Sequence, residues 1–101
     1  MKTVIFLKDA EAEVETAQDF LDERQFGLGA RFLASLQNSL GKISQRPAAF
    51  RVVDSCGARK ALLNVFPYTV FFLAEDSVIV IVAVAHAKRR PFYWKERLDK
   101  K

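Results

Sequence analysis

The sequence predicts an α+β domain: an N-terminal strand, an antiparallel helix hairpin, then a three-stranded antiparallel meander, with the helices packed on one face of the sheet. Two observations carry this. Between residues 10 and 43, apolar side chains recur at the three- and four-residue spacing of amphipathic helices, with a break at Gly27 and Gly29. Between residues 59 and 85 the apolar residues are instead β-branched or aromatic, in short runs parted by turn residues. A chain of 101 residues, half of them apolar, has room for one core, so residues 1–101 read as a single domain.

Thr3 to Leu7 (TVIFL) is short and β-branched, which predicts a first strand that is buried on both faces or lies beside a covered edge. Asp9 offers an N-cap. Ala10, Val14, Ala17 and Leu21 then form a stripe from which Glu11, Glu15, Asp19, Asp22 and Glu23 fall mainly away, predicting a helix from Asp9 to Arg24. Two glycines in three residues make Phe26 to Gly29 a tight reversal. Phe32, Leu33, Leu36, Leu40 and Ile43 define a second helix, which Pro47 ends by pushing the residue before it out of helical geometry. So short a link makes the two helices an antiparallel pair.

Ala48 to Gly57 lacks a clear period and reads as a loop, with a short extended piece at Phe50 to Val53. Arg59 to Val65 alternates weakly and supplies a strand. Tyr68 to Ala74 and Val78 to Ala85 follow, parted only by Glu75, Asp76 and Ser77, and so pair as a hairpin. Pro67 sits best at the start of its strand, where its missing amide hydrogen matters least. A terminal turn of helix is expected over Phe92 to Leu98, with Lys100 and Lys101 frayed.

The formal net charge of +4 is unevenly spread. Asp9 to Glu23 holds seven of the twelve acids, whereas Lys88 to Lys101 holds seven of the sixteen lysines and arginines. The basic group follows directly on the apolar VIVIVAVA, which predicts a cationic rim where the last strand leaves the sheet, suited to an anionic partner. The single cysteine, Cys56, cannot form an intrachain disulfide, and the N-terminus meets acids too soon for a signal peptide, so the expected location is cytoplasmic. The run Val78 to Ala85 is far below the ~20 residues that cross a bilayer as a helix, so no membrane role is expected.

Gly27 and Gly29 are not followed by the lysine and serine of a phosphate loop, and one histidine and one cysteine cannot fill a structural zinc site. No metal or other cofactor is expected. His86 ends the last strand, and the three cations after it favour the neutral imidazole of a general base; the alternative is that it caps the sheet by a hydrogen bond. Lys88, Arg89 and Arg90, with Arg51, Arg59, Lys60 and Arg97, are candidates to hold a phosphate or to meet acids on a protein. Tyr93 and Trp94 suit either base stacking or a protein hot spot. No carboxylate or nucleophile lies near His86 in sequence to complete a triad.

The order of elements, and above all FPYTVFF followed after a turn by VIVIVAVAHAKRRPFYWKER, resembles the RelE/ParE superfamily of toxins from bacterial type II toxin-antitoxin systems. The similarity runs from Val4 to Arg97. Its most specific part is the closing pattern carried by Val82, Val84, His86, Arg89, Pro91, Trp94 and Arg97. The resemblance implies a small toxin neutralised by a cognate antitoxin, whose C-terminal segment wraps it as helix and strand. It implies operator DNA bound only through the antitoxin, and a homodimer or a heterotetramer with the antitoxin as the assembly.

Two activities are known in such a superfamily, and the fold does not choose between them. RelE-like members cut messenger RNA in the ribosomal A site, and ParE-like members inhibit DNA gyrase. RelE-like nucleases tend to place an arginine at the opening of the central strand and a tyrosine near the C-terminus. Here Thr69 stands where that arginine would be, and Tyr93 and Trp94 fit the tyrosine's place about equally. This departure favours a ParE-like toxin that uses Arg59, Lys60, Lys88, Arg89, Arg90, Trp94 and Arg97 to bind gyrase. The alternative is a ribosome-dependent, metal-independent endoribonuclease in which Arg59, Arg89 and Arg90 hold the phosphate and His86 or Tyr93 transfers protons.

Overall fold

In a computed structural model, which describes residues 2–99, five strands form one sheet. They are β1 (Thr3–Phe6), β2 (Arg51–Val52), β3 (Arg59–Leu62), β4 (Tyr68–Ala74) and β5 (Val78–His86), in the order β1-β5-β4-β3-β2. All pairs are antiparallel except β1 with β5. Helices α1 (Lys8–Arg24) and α2 (Leu28–Gln45) lie between β1 and β2, and a 3-10 turn at Tyr93–Lys95 leads into a short α3 (Glu96–Asp99). The α+β class and its order of elements are those expected.

Alternation along the strands assigns the two faces. Tyr68, Val70 and Phe72 of β4 and Ile79, Ile81 and Val84 of β5 pack against Ala10, Ala17 and Leu21 of α1 and Phe32, Leu36 and Ile43 of α2. Each large apolar side chain buried there contributes about 1.5–3 kcal/mol. Val82 and Ala83 face the other way, toward Trp94, Phe71 and Leu98. Coverage on both sides explains why β5 reads as an unbroken apolar run. Phe72 pairs with Ile81 and Phe71 with Ala83, so Val82 is an extra residue in β5. This bulge keeps Val84 and His86 on the helix side; without it the alternation would turn them to the opposite face.

Several boundaries differ from expectation. Leu7, not Asp9, occupies the N-cap of α1, with no side-chain hydrogen bond, and the Asp9 carboxylate lies instead 3.6 Å from Nε of Arg97. Gly27 does make the reversal, with φ 89°, but Gly29 is already inside α2. Its N–H donates to Asp22 Oδ1 at 2.8 Å, and a Cβ there would sit 2.8 Å from the Gln18 carbonyl oxygen, so that glycine serves the contact between helices. Strand β3 stops at Leu62 rather than Val65. The Leu63 N–H donates to the Tyr68 carbonyl at 3.0 Å, Val65 turns at φ 74°, and Phe66 swings back edge-on to Phe32. The extended piece foreseen near Phe50 pairs as β2 with β3. Lys100 and Lys101 lie outside the described residues.

Candidate functional site

β5 outruns its neighbour. The last β1 residue, Phe6, pairs with Ile81, and the Leu7 N–H still donates to the Ile81 carbonyl, but β5 continues to His86. Side chains complete the edge from Val82 onward. The Val82 carbonyl accepts from Nη1 of Arg97 at 2.9 Å, and the Val84 N–H donates to Oε1 of Glu13 at 3.0 Å. Glu13 and Arg97 are themselves joined by two hydrogen bonds of 2.9 and 3.1 Å, and the Tyr93 hydroxyl donates to Oε2 of Glu13. A buried strand edge needs its backbone groups satisfied, and here a carboxylate and a guanidinium do what a further strand would otherwise do.

Glu13 did not emerge from the sequence among so many acids of α1. Its signal was nonetheless present: position 13 follows Ala10 by three and precedes Ala17 by four, so it shares the stripe that faces the sheet. The consequences for the aromatic and basic candidates are direct. Burial first, and then the bond to Glu13, push the Tyr93 phenol well above the ordinary tyrosine range. Hydrogen bonding to Glu13 likewise raises the Arg97 guanidinium above its usual value. Arg97 is enclosed by α1 and β5, with its side chain 15 % exposed, so its guanidinium ties the C-terminal segment to Glu13 and the Val82 carbonyl.

Lys88, Arg89 and Arg90 stand exposed in the turn after β5, where the Arg89 N–H donates to the His86 carbonyl at 3.0 Å. Arg89 lies with its guanidinium 3.8 Å from the centre of the Tyr93 ring and 3.8 Å from Oε2 of Glu13. His86 packs edge-on to Tyr68, and its Nδ1 accepts the Lys88 N–H at 3.1 Å, a sheet-capping bond that leaves Nε2 as the ring's other polar atom. Beside this turn a groove of about 500 Å³ runs under α1, floored by Ala17, Phe20, Tyr68 and Val84 and rimmed by His86 and Arg89.

The other expected residues lie elsewhere. Trp94, foreseen as a stacking platform or a protein hot spot, is fully buried with its ring 4.9 Å from that of Phe71, because the C-terminal segment folds back onto the sheet. Arg59 is on β3 and donates from Nη1 to the Phe50 carbonyl at 2.6 Å, bracing the loop before β2. Lys60 shares a shallow cleft of about 360 Å³ with Arg51, Phe71 and Phe92. It is two strand spacings from β5, about 10 Å. The cations thus divide into an exposed trio at the β5 exit, Arg51 and Lys60 together over β2 and β3, Arg59 bonded to the Phe50 carbonyl, and the enclosed Arg97.

Cys56 is not a nucleophile in waiting. Desolvation and the neighbouring Asp54 carboxylate both raise its thiol above the usual value. Among the described residues, no helix is long and apolar enough to cross a membrane, and no three His, Cys, Asp or Glu side chains cluster as metal ligands.

The architecture has known counterparts. A chain described as the chromosomal ParDE TA system from P. aeruginosa superposes with a TM-score of 0.75 at 15% identity, covering 85% of this chain and 96% of that one, which shows a shared fold. No curated protein matches at a significant level. The family model described as ParE toxin of type II toxin-antitoxin system, parDE, matches residues 4–91, nearly all of β1 to β5 and the cationic turn. With the fold and that match in agreement, the chain belongs to the ParE toxin family of type II toxin-antitoxin systems.

Proposed function

We propose that this toxin works in the cytoplasm by binding and inhibiting DNA gyrase, with Lys88, Arg89, Arg90 and the adjoining groove as its contact surface, and that it makes and breaks no bond itself. The observation that carries this reading is the state of the groups a nuclease would need. The Tyr93 hydroxyl is committed to Glu13, Arg97 is enclosed, His86 uses Nδ1 to cap the turn, and Thr69 occupies the place of an arginine. What faces outward is a set of exposed cations beside an apolar groove, which suits recognition of an acidic macromolecular surface. Membership in the family implies a cognate antitoxin. Its acidic, amphipathic segment would cover the same end and exclude the target.

The test is DNA supercoiling by purified gyrase with added toxin. Inhibition that is relieved by stoichiometric antitoxin is expected. Unimpaired supercoiling at concentrations that arrest growth, with messages cut within codons in primer extension, would replace this reading with the ribonuclease.

A further inference from the structure

We propose that Glu13 is the positioning residue of the working end: the carboxylate on α1 that clasps the C-terminal arm, residues 88–98, and thereby sets Arg89 and its neighbours in the arrangement that engages the target. The inference rests on the reading of this end as the contact surface. It goes further in assigning the presentation of that surface to an acidic residue on a different element, outside the basic cluster.

Four groups converge on Glu13. It receives two hydrogen bonds from Arg97, one from the Tyr93 hydroxyl and one from the Val84 N–H, and Arg89 lies 3.8 Å away. Three of these residues belong to the arm, and the fourth is the strand edge on which the arm rests. The pair is not a solvated surface bridge, since the two side chains are only 14 % and 15 % exposed. Removing the carboxylate would leave an enclosed guanidinium and a strand N–H without their acceptor, and a broken buried pair costs far more than a surface one.

The strain of that loss has an outlet. The sheet's helix-side core contains no residue of the arm, whereas the arm's other attachments are the Trp94 cluster on the opposite face and the ion pair of Lys95 with Asp54 at 3.1 Å. Without Glu13 the arm is therefore expected to peel from β5 while the helices and strands stay folded. Arg89 would lose both Glu13 and the Tyr93 ring as references, and Tyr93 and Arg97 would lose the point to which they are tied.

Trp94 is the only tryptophan of the chain, so its fluorescence reports the arm alone. The variants are Glu13→Ala, Arg97→Glu and the conservative Glu13→Gln, which keeps an oxygen acceptor for the Val84 N–H and for Arg97, in the full chain. Three readouts apply to each: acrylamide quenching of Trp94, helical circular dichroism, and growth arrest on induction, which depends on no assumption about the target. Glu13→Ala and Arg97→Glu should keep their helical signal, raise the quenching constant at least threefold and weaken growth arrest at least tenfold. Glu13→Gln should lie nearer wild type in both. The proposal is overturned if Trp94 stays shielded in Glu13→Ala and Arg97→Glu, if the arm opens with growth arrest unchanged, or if Glu13→Gln is no better than Glu13→Ala. Loss of helical signal in Glu13→Ala also overturns it, because Glu13 then supports the fold as a whole. A wild-type toxin that arrests growth without inhibiting supercoiling would count against gyrase as target and leave the Glu13 test intact.

Discussion

The two faces of the sheet are held by different physics. On the helix side, buried side chains from α1, α2 and three or more strands form one continuous apolar cluster with no ion pair inside it. On the opposite side, a short arm lays one buried indole against Phe71 and pairs Lys95 with Asp54, while Glu13 reaches it from α1 at the edge of β5. The first arrangement spreads its stability over many contacts. The second concentrates it in a few, and the exposed cations lie beside it. Folding and the placement of the proposed contact surface should thus be separable, and substitutions on each side should reveal it.

The largest effect is expected on the helix side. Phe72→Ala opens a void in a fully buried position that Phe50 meets edge-on, and should cost about 3–5 kcal/mol in urea denaturation, a large part of a total that for small domains is about 5–15 kcal/mol. Trp94→Ala should cost less, about 2–3 kcal/mol, because the arm can open locally instead of leaving a sealed cavity. Trp94→Phe should be milder still, since the indole N–H has no partner among the described residues to lose. Equal costs for Phe72→Ala and Trp94→Ala would erase the distinction between the faces.

Smaller effects sharpen it. Gly29→Ala should lower stability by about 1–3 kcal/mol, read from the thermal midpoint, because the added methyl would meet the Gln18 carbonyl and force the helices apart. At the other extreme, Asp54 near the arm is held at about 2 by hydrogen bonds from the Cys56 side chain and amide, with Lys95 3.1 Å away. A depressed carboxylate contributes stability that is complete above its unfolded value and lost as pH falls through its folded one. The β2–β3 loop and the arm should therefore loosen between about pH 4 and 2. Hydrogen exchange at the Cys56 amide across that range should show this, while amides of β4 and β5 stay protected.

The same contrast explains what could be read from the sequence. The helix side was legible because its signals are local: the stripe from Ala10 to Leu21, the second from Phe32 to Ile43, and the hairpin with only Glu75, Asp76 and Ser77 between its strands. The cationic turn at Lys88 to Arg90 was legible as well, since an abrupt change from apolar to basic residues marks a strand's exit. The arm was not. Trp94 and Arg97, close to three cations, read as readily as surface contacts as they do as packing, and only the fold-back onto Phe71 and Glu13 decides. Glu13 and Arg97 are 84 residues apart, and no period connects them. The bulge at Val82 is equally silent in sequence, yet it determines which face His86 occupies.

The central claim is that the exposed turn binds and does no chemistry, and gyrase supercoiling with the triple variant Lys88→Ala, Arg89→Ala, Arg90→Ala tests it most directly. These side chains are exposed, so stability should change by no more than about 0.5 kcal/mol per site, while the concentration for half inhibition should rise more than tenfold. A triple variant that melts like wild type and inhibits gyrase equally well would contradict the account.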